Sequence, residues 1–161
     1  MKLNLGCGPN PKTKGDGWIN VDVQPFDGVD LVHDLYKPLP YVPETADIIV
    51  AQHVLEHIGY QHINRILAEW IKILRLGGEL QIGVPDLDRL AQGYVDGSCS
   101  WDDFVQQLYN VVADRTIVGI PHLCAYGYKK LERTLLTLGC SRVWKLDAWE
   151  GSWSLQIRAV K

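Results

Sequence analysis

The sequence predicts an α/β fold: an open, mostly parallel, twisted sheet ending in a C-terminal antiparallel hairpin, with helices concentrated in the second half. Three observations predict it. Short apolar runs dominate the first half, among them Ile48-Ile49-Val50-Ala51, apolar on both sides as a central parallel strand is. Apolar residues then switch to helical spacing from Ile63 onward, and the tail returns to period-two alternation on either side of Glu150-Gly151.

Leu3–Leu5 reads as the first strand, ending at Gly6-Cys7-Gly8, and Trp18–Val23 as the second. Val29–Leu35 contains the third, Ala46–Gln52 is the fourth and Glu79–Val84 the fifth. Ile63, Ile66, Leu67, Trp70, Ile71 and Leu74 recur on one helical face, and Gly77-Gly78 is expected to close that helix. Further helices are expected after Asp86, over Trp101–Val112 and over Tyr128–Leu138, where Gly139 stops the chain. Arg142–Asp147 and Ser152–Val160 form the hairpin. Strands alternating with helices place a ligand crevice at the carboxyl ends of the strands.

Composition narrows the classes. At 161 residues, 47% hydrophobic and 22% charged, the chain suits one ordinary globular domain, residues 1–161. No apolar run reaches the length of about 18 residues that a membrane helix needs. A net charge of −3 offers no basic footprint for nucleic acid. Lys129, Lys130 and Arg133 form a tight basic cluster that reads as a solvated helix face. Met1–Leu5 enters a strand directly, leaving no room for a signal peptide, and a cytoplasmic protein is expected. Cys7, Cys99, Cys124 and Cys140 are scattered without a C-x-x-C pair, so neither a disulfide nor a metal is expected.

The chemistry gathers at the strand ends. Gly6 and Gly8 let the backbone turn tightly and approach a ligand, and Asp22 closes the second strand where a carboxylate can accept from a ribose diol. A Rossmann-like dinucleotide turn needs a third glycine leading into a helix that holds the pyrophosphate. Here Pro9-Asn10-Pro11 occupies that place, with Gly15 and Gly17 close behind, so the helix and its phosphate site are spoiled. A nucleoside ligand without phosphates, such as S-adenosylmethionine, fits better than a nicotinamide dinucleotide.

With these motifs the sequence resembles the class I S-adenosylmethionine-dependent methyltransferases, in particular the small bacterial type whose first strand reads Leu-Asn-Leu-Gly-Cys-Gly. The resemblance runs well from Met1 to about Leu90 and more loosely beyond, through Leu3–Gly8, Asn20–Val23, His33–Leu35, Asp47–His57 and Leu76–Pro85 in order. It implies that Leu5, Gly6, Cys7 and Gly8 pass under the methionine part of the cofactor. Asp22 would hold the ribose, with Val23 on the adenine and Asp34 and Leu35 bordering it. Gln52, His53 and His57 would line the sulfonium side, Glu56 and His57 matching the family's Leu-Glu-His step. S-adenosylhomocysteine would be the product.

Methyl transfer is an in-line displacement with a neutral leaving group, so positioning and desolvation carry much of the catalysis. A general base is needed only for a protonated acceptor. His53, where the fourth strand opens, and His122, in Ile120-Pro121-His122, are the catalytic candidates. Asp86 reads as a helix N-cap. His53 and His57 would share a helix face and chelate a metal only if that segment were helical, and the glutamate spacing does not match H-E-x-x-H.

The chain departs from the family in its early connections. Residues 6–17, 24–28 and 36–45 are short or rich in proline and glycine, and none supports a normal helix. The chain also starts at the first strand, without the family's preceding helix. Lys2 and Asn4, Trp18 and Asn20, Glu79 and Gln81, and Gln156 and Arg158 alternate with apolar neighbours. One sheet face is therefore expected to be solvated, or covered by a second copy, another subunit or the segment around Trp101–Val112. A methyltransferase acting on a small-molecule, sugar or cell-envelope acceptor is the leading expectation; a non-catalytic or partner-dependent cofactor-binding module is the alternative.

Overall fold

A computed structural model of the chain describes residues 1–12, 16–110, 120–147 and 153–161. Its strands are β1 (Lys2–Leu5), β2 (Trp18–Asp22), β3 (Leu31–Val32), β4 (Ala46–Gln52), β5 (Leu74–Pro85), β6 (Arg142–Leu146) and β7 (Ser154–Val160), in the sheet order β3-β2-β1-β4-β5-β7-β6. β3, β2, β1, β4 and β5 run parallel, while β7 pairs antiparallel with both β5 and β6. The order reverses between β1 and β4, which opens a crevice at their carboxyl ends. The helices are α1 (Ile63–Ile73), α2 (Leu87–Asp96), α3 (Trp101–Tyr109) and α4 (Tyr128–Thr137). None of the described helices is long and apolar enough to cross a membrane.

Alternation along the strands sorts the sheet into two unlike faces. Leu3, Leu5, Val21, Ile49, Ala51, Leu80, Ile82, Leu155, Ile157 and Ala159 share one face and one apolar cluster. Ile66, Leu67 and Trp70 from α1 and Leu131 and Leu135 from α4 complete that cluster. The opposite face carries Lys2, Trp18, Ile48, Glu79, Gln81, Trp144, Gln156 and Arg158, all half-buried. The sheet is thus layered on one side, as the helix-poor early connections require.

That second face is not uniformly wet. Asn4 and Asn20 lie side by side in register, and both are buried, Asn20 completely. The Asn20 carboxamide accepts from Asn4 Nδ2 and from the Lys12 backbone N–H, and donates to the Lys12 carbonyl and to Asp30. The loop after β1 therefore does locally what a crossover helix would do, through hydrogen bonds rather than apolar packing. Lys2 and Lys12 both lie over the Trp18 ring.

Several boundaries correct the sequence reading. α1 ends at Ile73, and Leu74 is already extended, so Gly77-Gly78 does not close it. Those glycines belong to β5, where the pairing with β4 shifts register between Ala46 and Ile48. A Cβ at Gly78 would stand 3.1 Å from the Ala46 carbonyl oxygen and 3.2 Å from that of Asp47, so only glycine lets the strands pass this closely. α3 is described only to Tyr109, and Val112 lies outside the described residues, as does the Glu150-Gly151 turn. Asp86 is the N-cap of α2, accepting from the Arg89 N–H, and is also paired with Lys145 Nζ at 2.8 Å.

The one-sided layering makes neighbouring positions on β5 unequal. Leu80→Ala should cost about 2–5 kcal/mol, whereas Gln81→Ala should stay within about 0.5 kcal/mol. Urea denaturation of both variants checks this, and equal losses would contradict a core on one face alone.

Candidate active site

The crevice at the switch point is framed first by backbone. Gly6 (φ +62°) and Gly8 (φ +55°) both take left-handed conformations, turning the chain sharply off β1. A Cβ at Gly6 would stand 2.4 Å from Val54 Cγ2, so the loop rests directly on the segment that leaves β4. At Gly8 a Cβ would meet nothing, so only the dihedral favours glycine there. The Cys7 N–H donates to the Val21 carbonyl, tying the loop to β2. Burial, aided by the Asp22 charge, pushes the Cys7 thiol up, which makes it an inert packing group here.

Asp22 is the polar centre of this half. It is 8% exposed, and its two carboxylate oxygens accept from the Gly8 N–H at 2.8 Å and the Gln24 N–H at 2.9 Å. Each oxygen keeps a further lone pair for a ligand hydroxyl. Val23 beside it is exposed, presenting an apolar surface for a flat ring. Beyond β3, Asp34 accepts from the Tyr36 N–H, and Leu35 packs on the core edge. Leu5, Gly6, Cys7, Gly8, Asp22 and Val23 thus converge at the ends of the paired strands β1 and β2, with Asp34 and Leu35 just past the end of β3.

The second half of the crevice begins at the end of β4. Gln52 is exposed, and His53 leaves the strand with φ +53°, a conformation uncommon for a residue with a Cβ. Its backbone N–H donates to the Gly83 carbonyl, and its ring Nδ1 donates to Glu56 Oε1 at 2.9 Å. That hydrogen bond raises the His53 pKa against the opposing effect of burial. Residues 55–57 then form one 3₁₀ turn, so the α-helical i, i+4 pairing of His53 with His57 does not form.

Glu56 is completely buried. Its Oε2 has no hydrogen-bond partner among the described residues. An unsatisfied buried carboxyl oxygen is costly, by about 1–3 kcal/mol and more when charged. Its backbone carbonyl accepts from the N–H groups of Leu123 and Cys124, which pins the stretch carrying His122 over the end of β4. His57 Nδ1 donates to the Pro121 carbonyl at 3.1 Å, and His122 Nδ1 to the Gln107 carbonyl at 2.9 Å. The two rings meet edge to face, 4.9 Å between centroids. Burial lowers the His122 pKa, keeping that ring neutral at neutral pH.

The structure therefore brings His53, Glu56, His57 and His122 together beside the glycine loop. Sequence reasoning named all four but gave Glu56 no role beyond the motif; its backbone carbonyl is held by Leu123 and Cys124, far away in the chain. It missed Asn20 as the anchor of the glycine loop, since alternation alone placed that residue on a wet face. A separate cavity of about 500 Å³ lies between α1 and α4, lined by Lys129, Lys130 and Arg133 with Asn64, Thr134, Thr137 and Leu138. None of the strand-end residues borders it.

The two glycines give a test of the loop geometry. Gly8→Ala carries only the left-handed strain of about 1–2 kcal/mol, whereas Gly6→Ala adds the collision with Val54, a further 1–3 kcal/mol or so. Denaturation curves showing equal losses would contradict the close approach of loop and turn.

Residues 9–82 match the family described as "Methyltransferase domain". No curated protein matches the sequence significantly. Among solved structures, a SAM-dependent methyltransferase from Archaeoglobus fulgidus is 17% identical, with a TM-score of 0.66 over 99% of this chain and 85% of that one. One from Methanosarcina mazei is 13% identical, with a TM-score of 0.64 over 99% and 89%. One from Thermotoga maritima is 16% identical, with a TM-score of 0.62 over 99% and 81%. At these identities the likeness is one of fold, and it extends across the chain. Residues 9–82 are thus similar to a methyltransferase domain, and the chain as a whole shares the fold of these SAM-dependent methyltransferases.

Proposed function

We propose that this protein transfers the methyl group of S-adenosylmethionine to an acceptor presented at the carboxyl ends of β4 and β5. The observation that carries the reading is Asp22, nearly buried at the switch point and held by two backbone N–H groups. Those contacts fix the carboxylate before any ligand arrives and leave it able to accept from both ribose hydroxyls. In this reading Leu5, Gly6, Cys7 and Gly8 run beneath the methionine part of the cofactor. Val23, Asp34 and Leu35 border the adenine, and Gln52, His53 and His57 line the sulfonium side. The bound cofactor supplies a methyl group on an electron-poor sulfonium, so the protein's task is to align the acceptor and exclude water. His53 and His122 are the residues proposed to face the acceptor.

A small molecule, sugar or cell-envelope precursor is the proposed acceptor class. The net charge of −3 argues against nucleic acid. The four cysteines are free, which supports a reducing, cytoplasmic compartment. A second reading, a cofactor-binding module that needs a second copy or another subunit, is favoured by one observation: Trp18, Ile48 and Trp144 are half-buried on a face that neither α1 nor α4 covers.

Calorimetric titration with S-adenosylmethionine and S-adenosylhomocysteine tests the proposal. Both should bind, and Asp22→Ala should weaken them at least tenfold, which is about 1.4 kcal/mol. Failure of the wild-type chain to bind either would overturn the reading of a self-sufficient methyltransferase.

A further inference from the structure

The acceptor side of the crevice holds a group of side chains that methyl transfer alone does not require. Glu56, His57 and His122 each offer one donor atom, and these atoms lie within 4.8 Å of one another. Ligands on a zinc ion at about 2.0–2.1 Å stand roughly 3.4 Å apart, so small rotations close the set around an ion.

Hydrogen bonding fixes which atoms are available. A backbone carbonyl only accepts, so the contacts to Pro121 and Gln107 make Nδ1 the protonated nitrogen of His57 and of His122. Nε2 of each ring is then the nitrogen left to face a ligand. A backbone carbonyl behind the imidazole is the usual support of a metal-bound histidine, fixing its tautomer and its orientation. Glu56 repeats the pattern: Oε1 is tied to His53, and the completely buried Oε2 has no partner among the described residues. A neutral core would satisfy or remove that oxygen. His57 and His122 are half-buried, so the group is sealed behind Glu56 and open on the other side.

We infer that Glu56, His57 and His122 form a binding site for a divalent transition-metal ion. Two imidazoles and one carboxylate suit Zn²⁺ first, and Mn²⁺, Fe²⁺ or Co²⁺ by the same donor chemistry. His53 is a positioning residue in this site, holding the carboxylate through Oε1. The sequence reading expected no metal because His53 and His57 were the pair considered. The fold instead supplies the third donor from His122, 65 residues further on than His57.

An ion held by three donors would leave a position for an acceptor oxygen, which points to a hydroxyl-bearing acceptor; this extension rests on the methyltransferase reading. The metal lowers the pKa of the bound hydroxyl, which releases its proton to solvent. An oxygen lone pair then forms the new O–CH₃ bond as the S–CH₃ bond breaks, and that bond's electron pair returns to sulfur as a neutral thioether. No protein general base is needed.

The test uses the full chain stripped of metal with a chelator. Calorimetry with Zn²⁺, and with Co²⁺ followed by its visible absorption, should show a single saturable site that raises the melting temperature. His122→Ala should weaken binding by more than about a hundredfold, beyond what loss of a group behind a ligand costs. Glu56→Gln should weaken it similarly while the metal-free variant melts no lower than wild type, since the substitution removes a buried charge at nearly the same volume. His62→Ala, which removes a ring packed on Tyr36, should bind as wild type does. Absence of saturable binding by the wild type, or unchanged binding in both ligand variants, overturns the site. Cofactor binding by a chain that takes no metal overturns the metal site alone. Metal uptake without cofactor binding overturns the methyltransferase reading alone.

Discussion

Everything in this fold follows from connections too short or too proline-rich to be helices. Right-handed crossovers in the first half of such a sheet put their helices on one face, and those of the second half put theirs on the other. Residues 6–17, 23–30 and 33–45 carry no described helix, so the sheet has one packed layer. The core then has to be built entirely on the other side, and α1, α4 and the odd-numbered positions of β1 and β4 supply it. Outside β4, the strands keep much of the polar alternation that a two-layered parallel sheet would have lost to apolar residues on both faces.

Polar contacts take over where a helix is missing. A helix after β1 would hold the glycine turn by packing; here Asn20 holds it through Lys12, and Asp22 through the Gly8 N–H. Both side chains come from β2, one residue apart, and point to the same side of the sheet. The loop is therefore fixed by the strand that also presents the ribose-binding carboxylate of the proposed site. A change that disturbs Asn20 would displace the glycine turn without touching any ligand.

Much of this was legible from the residues. The strand order is a consequence of alternating elements and handedness, and the half-covered sheet was foreseeable from Pro9, Pro11, Pro38, Pro40 and Pro43. The glycine loop and Asp22 are local motifs, readable because each acts within a few residues of a strand end. What escaped was non-local. Gly77-Gly78 looks like a helix stop until β4 is placed against it: a Cβ at Gly78 would crowd the carbonyls of Ala46 and Asp47 as well as the nearby one of Arg75. Glu56 looks like a helix start until Leu123 and Cys124 are seen to donate to its backbone carbonyl. His122 has no sequence signal tying it to His57, since α1, β5, α2 and α3 lie between them in the chain.

The two carboxyl groups of the crevice are prepared differently, and the difference bears on their roles. Asp22 has each oxygen engaged by a backbone N–H, so its charge is compensated in the empty protein and a ligand only adds to a finished arrangement. Glu56 has one oxygen held by His53 and the other without a partner among the described residues, in a fully buried position. A site of the first kind is preorganised and binds a neutral diol without reorganisation. A site of the second kind is destabilised until something positive arrives, because low dielectric makes an uncompensated carboxyl expensive and a paired one tight. In the proposed site the crevice thus divides into a half complete in itself and a half whose carboxylate, held by His53 on one oxygen, a cation would complete. In the proposed function, that division would separate holding the cofactor from activating what it meets.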